Sequence, residues 1–259
     1  MNDPTFDAVF GTGARDQLVK LFSYVGHYSD TVTVRTNGTD CITVQACNPS
    51  HTVMVFAHID FELFDTFTGR GEISCSVKSL VAILKLSETP GTFRLQYESA
   101  KLVMSGGLDQ YSIPTMTIDT EAFTIPEEQI EKMKAIQFED DPNMLKLFSL
   151  LKSWQAAFLP TTLKLDMNPV EDPEDPTQVS DSSVSIESDL GSACKSFFIP
   201  VEGPSCQISV SMSYIVDTSK LKLDKRCIGY DPTGSMPLMV ADAAEHLWVR
   251  TFIAPIMDE

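Results

Sequence analysis

Apolar and polar positions alternate over short runs through most of the chain, and in four places the period lengthens to that of a helix. Leu18, Leu21, Phe22 and Val25 share one face of a helix expected over residues 13–26, with Lys20 opposite. Glu72–Lys85 begins as a strand and flows into a helix, where Leu80, Val81 and Leu84 oppose Lys78 and Lys85. In the second half, a helix over 141–157 sets Met144, Leu147, Phe148, Leu151 and Trp154 against Lys146 and Lys152. Gln207–Lys222 is again a strand running into a helix. Period-two runs predict the strands. They are Phe6–Phe10, Thr31–Arg35, Cys41–Ala46, Val53–Ile59, Thr92–Tyr97, Leu102–Ser105 and Tyr111–Ile118 in the first half. The second half has Lys134–Phe138, Thr162–Asp166, Ser183–Ser188, Ser196–Pro200, Cys227–Tyr230, Pro237–Ala241 and His246–Ile253.

The two halves share this grammar, and fragments of sequence repeat with it. Leu18-Val19-Lys20-Leu21-Phe22-Ser23 returns 126 residues later as Met144-Leu145-Lys146-Leu147-Phe148-Ser149. Glu72-Ile73-Ser74-Cys75-Ser76 returns 135 residues later as Gln207-Ile208-Ser209-Val210-Ser211. A Pro/acid loop, Asn168–Pro176, has no counterpart in the first half and accounts for the unequal offsets. The expectation is a tandem pair of similar α+β domains, each with two helices and about eight strands in antiparallel sheets covered on one side by the helices.

Composition narrows the chemistry. With 259 residues and 43% hydrophobic content, the chain can bury one large core or two smaller ones. No apolar run approaches the ~18–20 residues of a membrane span, and the acidic start Met1-Asn2-Asp3-Pro4 is unlike a signal peptide. Six cysteines contain no C-x-x-C pair and four histidines no H-x-x-x-H pair, so no metal site and no cofactor are expected, and the thiols are expected to be reduced. Nucleotide-binding glycine motifs and nucleophile elbows are absent, so no catalytic residue is nominated. A net charge of −17 argues at first against nucleic acid. Ten of the 19 basic residues nevertheless fall on the four helices or their ends, which segregates positive charge on an acidic body.

Several stretches together resemble one family. Cys47-Asn48-Pro49-Ser50-His51-Thr52-Val53-Met54-Val55 followed by Phe64-Asp65-Thr66-Phe67 is similar to the eukaryotic sliding clamps, the family of proliferating cell nuclear antigen. So, in order, are Met116-Thr117-Ile118-Asp119 leading to Ile125-Pro126-Glu127-Glu128-Gln129, Glu187-Ser188-Asp189-Leu190-Gly191, and Met236-Pro237-Leu238 through His246-Leu247 to Phe252-Ile253-Ala254-Pro255. The resemblance spans nearly the whole chain. It implies a clamp domain at 1–118, a connector at 119–131 and a second clamp domain at 132–259.

The resemblance further implies a homotrimeric ring in the nucleus, with helices inside and sheets outside, which encircles double-stranded DNA without reading its sequence. Lys20, Lys78, Lys85, Lys146, Lys152, Lys220 and Lys222 would then face phosphates. DNA polymerase, ligase, nuclease and clamp loader would dock short peptides on Cys47, Phe123, Ile125, Pro126, Pro237, Phe252, Ala254 and Pro255. Tyr111, Ile113, Phe197 and Ile199 would lie in the subunit joints, where Pro114 and Pro200 limit strand pairing and favour an offset register or a weaker ring. The chain departs from the family at Asp16 and Gln17, where lysines are usual, at Asn48-Pro49 in place of Asp-Ser, and in the 168–180 loop with an apparent strand loss around 200–206. Two other roles fit the residues: a subunit of the heterotrimeric damage-checkpoint clamp, and an acidic interaction protein with no DNA role, whose helix lysines are solubilising charge.

Overall fold

A computed structural model of the chain describes residues 4–36, 40–86, 91–117, 127–137, 146–170, 180–197, 205–221, 223–233 and 236–256. Two compact units emerge, one of Met1–Thr124 with Ala243–Val249, the other of Ile125–Asp242 with Arg250–Glu259.

The first unit runs β1 (Thr5–Phe10), α1 (Thr12–Val25), β2 (Thr31–Thr36), β3 (Cys41–Cys47), β4 (Val53–Asp60), β5 (Thr66–Ser76), α2 (Val77–Leu86), β6 (Phe93–Glu98), β7 (Lys101–Gly106) and β8 (Asp109–Met116). Its strands lie in the order β1-β6-β7-β8-β5-β2-β3-β4, all antiparallel. Strand β5 is long because it serves three partners, β1 through Thr66–Arg70, β2 through Gly71–Ser76 and β8 at Ser74 and Cys75. Gly71 sits at that change with φ +98, where a Cβ would also press to 3.1 Å from Pro4. Alternation along β4 buries Val53, Val55, Ala57 and Ile59 and turns Met54, Phe56, His58 and Asp60 outward. The helices pack on each other, burying Leu21, Val25, Leu80 and Leu84 with Phe10 and Phe93.

The second unit contains a one-turn α3 (Glu127–Ile130), β9 (Lys134–Gln137), α4 (Leu147–Phe158), β10 (Thr162–Met167), β11 (Ser183–Ser188), β12 (Gly191–Ser196), β13 (Cys206–Ser211), α5 (Met212–Thr218) and β14 (Lys225–Tyr230). Strands β15 (Leu238–Ala244) and β16 (Leu247–Ile253) end the chain, their tips at 243–249 belonging to the first unit. One sheet has the order β12-β11-β10-β13, and β14 pairs with β9. Apart from α3, the element order repeats that of the first unit, strand by strand and helix by helix.

Arg226 ties this unit together. It donates through Nε to Asp242 on β15 (2.7 Å) and through one terminal nitrogen to the carbonyls of Thr218 and Leu221 (2.8 Å each). Its guanidinium lies 4.3 Å from the ring centre of Phe148 on α4.

Two expectations are corrected. The strand expected at Ser196–Pro200 shares only Ser196 with β12 at Gly191–Ser196, because the two-residue turn Asp189-Leu190 folds the chain directly back on β11 with Ser188 opposite Gly191; Phe197 is not in a strand, and 198–200 lie outside the described residues. The second strand-to-helix segment does not stay helical to residue 222. Helix α5 stops at Thr218, where Thr218 and Ser219 turn their hydroxyls back on the carbonyls of Ile215 and Val216 and Arg226 donates to the carbonyls of Thr218 and Leu221.

Candidate nucleic-acid and partner interfaces

Each helix is anchored by its apolar face, and that fixes what the other face presents. Helix α2 shows solvent a stripe of Lys78, Ala82 and Lys85 with no acid, and Lys85 in the last turn also complements the helix dipole. Helix α4 shows Ser149, Lys152, Ser153 and Ala156, preceded by exposed Lys146 at its N-cap. Among the described residues no carboxylate pairs with Lys20, Lys78, Lys85, Lys146 or Lys152.

Helix α1 is less basic in effect. Lys20 is exposed, but Asp16 shares its face, and Arg15 pairs with Asp16 at 3.0 Å while lying 5.1 Å from the Phe93 ring centre. Lys220 lies just past α5, exposed and paired with Asp217 at 2.7 Å, so it is not the helix-face lysine that was expected. Lys222 falls outside the described residues. Helices α1, α2, α4 and α5, with Lys146 and Lys220 beside them, hold seven basic and two acidic residues, in a chain of charge −17.

Of the expected peptide-docking residues, Phe123, Ile125 and Pro126 lie outside the described residues. In the first unit, Cys47 ends β3 and lines a groove of about 320 Å³ with Ser29, Asp30, Gln45, Pro49 and His51. Asn48, itself buried, builds the loop beside it. Its Oδ1 accepts the backbone N–H groups of Thr52 and Val53 at 2.9 Å, and its Nδ2 donates to the hydroxyls of Ser50 and Thr52. These bonds carry His51 round at φ +56, with Nδ1 4.0 Å from the Cys47 sulfur. Desolvation pushes the Cys47 thiol up, away from the thiolate a nucleophile needs. In the second unit, Pro237, Ala254 and Pro255 are partly exposed, whereas Phe252 is buried in the core. Just beyond them, Ile256 donates its N–H to the carbonyl of Ser209.

The residues expected in the subunit joints fall, where described, on or beside β8 and β12. Ile113 and Phe197 turn their side chains into their own units, Tyr111 is half-buried, and Ile199 lies outside the described residues. What β8 presents on its exposed side is Gln110, Ser112 and Pro114, and what β12 presents is Ser192, Cys194 and Ser196. No sequence signal singles these out, because the side on which a strand's backbone is unpaired emerges only from register.

None of the six cysteines is in a disulfide, and no cluster of metal-ligating side chains occurs among the described residues. No described helix is long and apolar enough to cross a membrane.

A duplicated unit of antiparallel sheets carrying two packed helices is the architecture of the DNA sliding clamps. The particular likeness is to proliferating cell nuclear antigen (PCNA). The Entamoeba histolytica PCNA structure superimposes with a TM-score of 0.74 at 16% identity, covering 97% of this chain and 99% of that one. A structure of A. fulgidus PCNA with the C-terminal region of FEN-1 bound gives 0.73 at 14% identity, covering 98% and 99%. PCNA from Thermococcus kodakaraensis gives 0.71 at 17%, covering 97% and 100%. No family profile and no curated protein matches the sequence itself. The chain therefore has the PCNA-like clamp fold over nearly its whole length.

Proposed function

We propose that this protein is a DNA sliding clamp, a non-catalytic ring of three copies that encircles duplex DNA and tethers replication and repair proteins to it in the nucleus. The observation that carries the reading is the segregation of charge on a clamp fold: the exposed faces of α2 and α4 bear lysines and no acid, while the chain as a whole is strongly acidic. Lysines so placed neutralise phosphates without reading bases, which suits a protein that must slide. Polymerase, ligase, nuclease and clamp loader would bind through short peptides near Cys47, Pro237, Ala254 and Pro255, with the residues of the 119–131 connector contributing. The FEN-1 segment bound to the archaeal PCNA supports that mode by analogy.

Encirclement is tested by topology. Loaded by a eukaryotic clamp loader, the protein should stay on nicked circular DNA through a salt wash and be lost when the circle is linearised. Equal retention on both forms would refute the ring. Changing Lys78 and Lys85 to Glu should abolish retention, and should lower the salt slope of direct DNA binding by about 0.9 for each lysine that contacts a phosphate.

A further inference from the structure

The sheet β12-β11-β10-β13 of the second unit has one face in the core, where Leu163, Leu165, Ile186 and Val210 are buried, and one face open. The open face carries a groove of about 530 Å³ that neither the DNA-facing helices nor the peptide-docking residues use. Antiparallel register arranges its side chains in rows across the strands. In one row Lys164 on β10 stands between Ser209 on β13 and Ser185 on β11, with Cys194 on β12 beyond Ser185. In the next, Glu187 stands opposite Ser192, and Thr162 follows Lys164 on the same face of β10. The result is a floor of small hydroxyl-bearing side chains between two long charged ones, Lys164 and Glu187, both exposed.

Ser209 shows that this floor is built to meet something. It is only 9% exposed, and its backbone carbonyl is taken by the N–H of Ile256. Its hydroxyl has no hydrogen-bond partner among the described residues, yet it is not sealed in the interior, so the groove is its way out. Hydroxyls this buried are normally hydrogen-bonded. Beside it, the side chains of Lys164, Ser185, Thr162 and Glu187 also make no hydrogen bond or ion pair within the described fold. The groove thus offers one ammonium, three hydroxyls that can donate and one carboxylate that can only accept.

That set of groups selects its ligand. A metal ion would meet a single carboxylate next to an ammonium, and an apolar molecule would strand the hydroxyls. An oxyanion takes charge-assisted donors from Lys164, whose flexible stem can fold over it, and from the hydroxyls beneath. Glu187 repels an anion unless the anion brings a proton for it to accept. Sulfate brings none, and a phosphate monoester has lost its last proton above pH about 6, whereas inorganic phosphate keeps one at pH 8. We propose that this groove binds inorganic phosphate, with Lys164, Ser209, Ser185 and Thr162 as donors and Glu187 accepting the phosphate's own O–H.

Backbone amide NMR on the full chain at pH 8 and constant ionic strength tests it, with inorganic phosphate as the probe and Ser185 and Ser209 as reporters. Their signals should shift saturably, with a dissociation constant on the order of 1 mM. Lys164→Ala should weaken binding at least about tenfold, and Ser209→Ala about threefold. Sulfate and glycerol phosphate, the arms that separate free phosphate from a general dianion and from an ester, should each bind at least about threefold more weakly. Glu187→Gln should erase the preference over sulfate, a change that a merely structural role for Glu187 would not produce. Shifts that grow linearly without saturating, or that persist in both Lys164→Ala and Ser209→Ala, would overturn the site. Equal binding of sulfate, or tighter binding of glycerol phosphate, would overturn the assignment to inorganic phosphate.

Discussion

Replacing Arg226 by Met tests the interior of the second unit, and its effect should depend on pH. Asp242 is only 2% exposed, and its Oδ2 has no hydrogen-bond partner among the described residues, so Arg226 is its one neutralising contact. Burial drives the Asp242 carboxyl up to about 6 despite the opposing pull of Arg226. The folded state therefore holds this proton more tightly than the unfolded chain, whose value is 3.8. By linkage, the stability from this group is complete below pH 3.8 and is lost as pH rises through about 6, a loss of about 3 kcal/mol. Arg226→Met removes the cation and its bonds to the carbonyls of Thr218 and Leu221, of which Thr218 keeps the N–H of Leu221. At pH 8 a bare buried carboxylate remains, and the cost should be about 3–5 kcal/mol. At pH 5 the carboxyl is protonated and uncharged, and only the lost hydrogen bonds and packing remain, about 1–3 kcal/mol. Urea denaturation followed by circular dichroism at both pH values measures the difference. Equal destabilisation at pH 5 and 8 would refute the reasoning, and so would a loss below about 1 kcal/mol at pH 8. Asp242→Asn, which cannot titrate, should flatten the stability profile between pH 4 and 6 relative to the wild type.

Two further outcomes follow from other buried groups. Asn48→Ala removes a side chain that holds two backbone N–H groups, and should cost about 1–3 kcal/mol, with faster amide exchange at Thr52 and Val53; unchanged exchange there would show that the loop holds itself. The Cys75 thiol, fully buried on β5 and pushed up to about 12 by desolvation, should resist a thiol-specific disulfide reagent at pH 8 until the chain is unfolded. Modification of native protein at Cys75 on the timescale of Cys194, which is exposed, would contradict that burial.

Much of the architecture was legible in the order of residues because it is periodic. Leu18, Leu21, Phe22 and Val25 on α1, and Leu80 and Leu84 on α2, are buried where a 3.6-residue period puts them. The paired strand-to-helix segments disclosed the duplication. What was missed depends on partners distant in sequence. Gly191-Ser192-Ala193-Cys194 carries no alternation of its own, and it becomes a strand because a two-residue turn delivers it to β11. Helix α5 ends at Thr218 partly because Arg226, from a later strand, takes the carbonyls of Thr218 and Leu221. The open edges of β8 and β12 were named from the family resemblance. Which of their residues face outward, however, is a parity fixed by hairpin turns and single inward hydrogen bonds. The sequence named Ile113 and Phe197 on or beside these strands, and parity is what shows that Gln110, Ser112, Ser192 and Cys194 are the exposed ones.

The net charge of −17 looks different once the cations are sorted by what they touch. Four of the six arginines are engaged with carboxylates: Arg15 with Asp16, Arg35 with Glu72, Arg94 with Asp7 and Arg226 with Asp242. Hydrogen bonding from Arg94 holds the Asp7 carboxyl below its usual range. The lysines at 20, 78, 85, 146 and 152 have no such partner among the described residues, and all are exposed on or beside helices. The division follows the chemistry of the two groups. Guanidinium, planar and forked, suits fixed pairing within a fold; ammonium on a flexible stem is a hydrated point charge that can exchange one phosphate for the next. A protein that gripped DNA with fixed arginine forks would have to break them at every step. One that meets it with unpaired lysines pays no such penalty, and acid elsewhere on its surface discourages DNA from binding anywhere else.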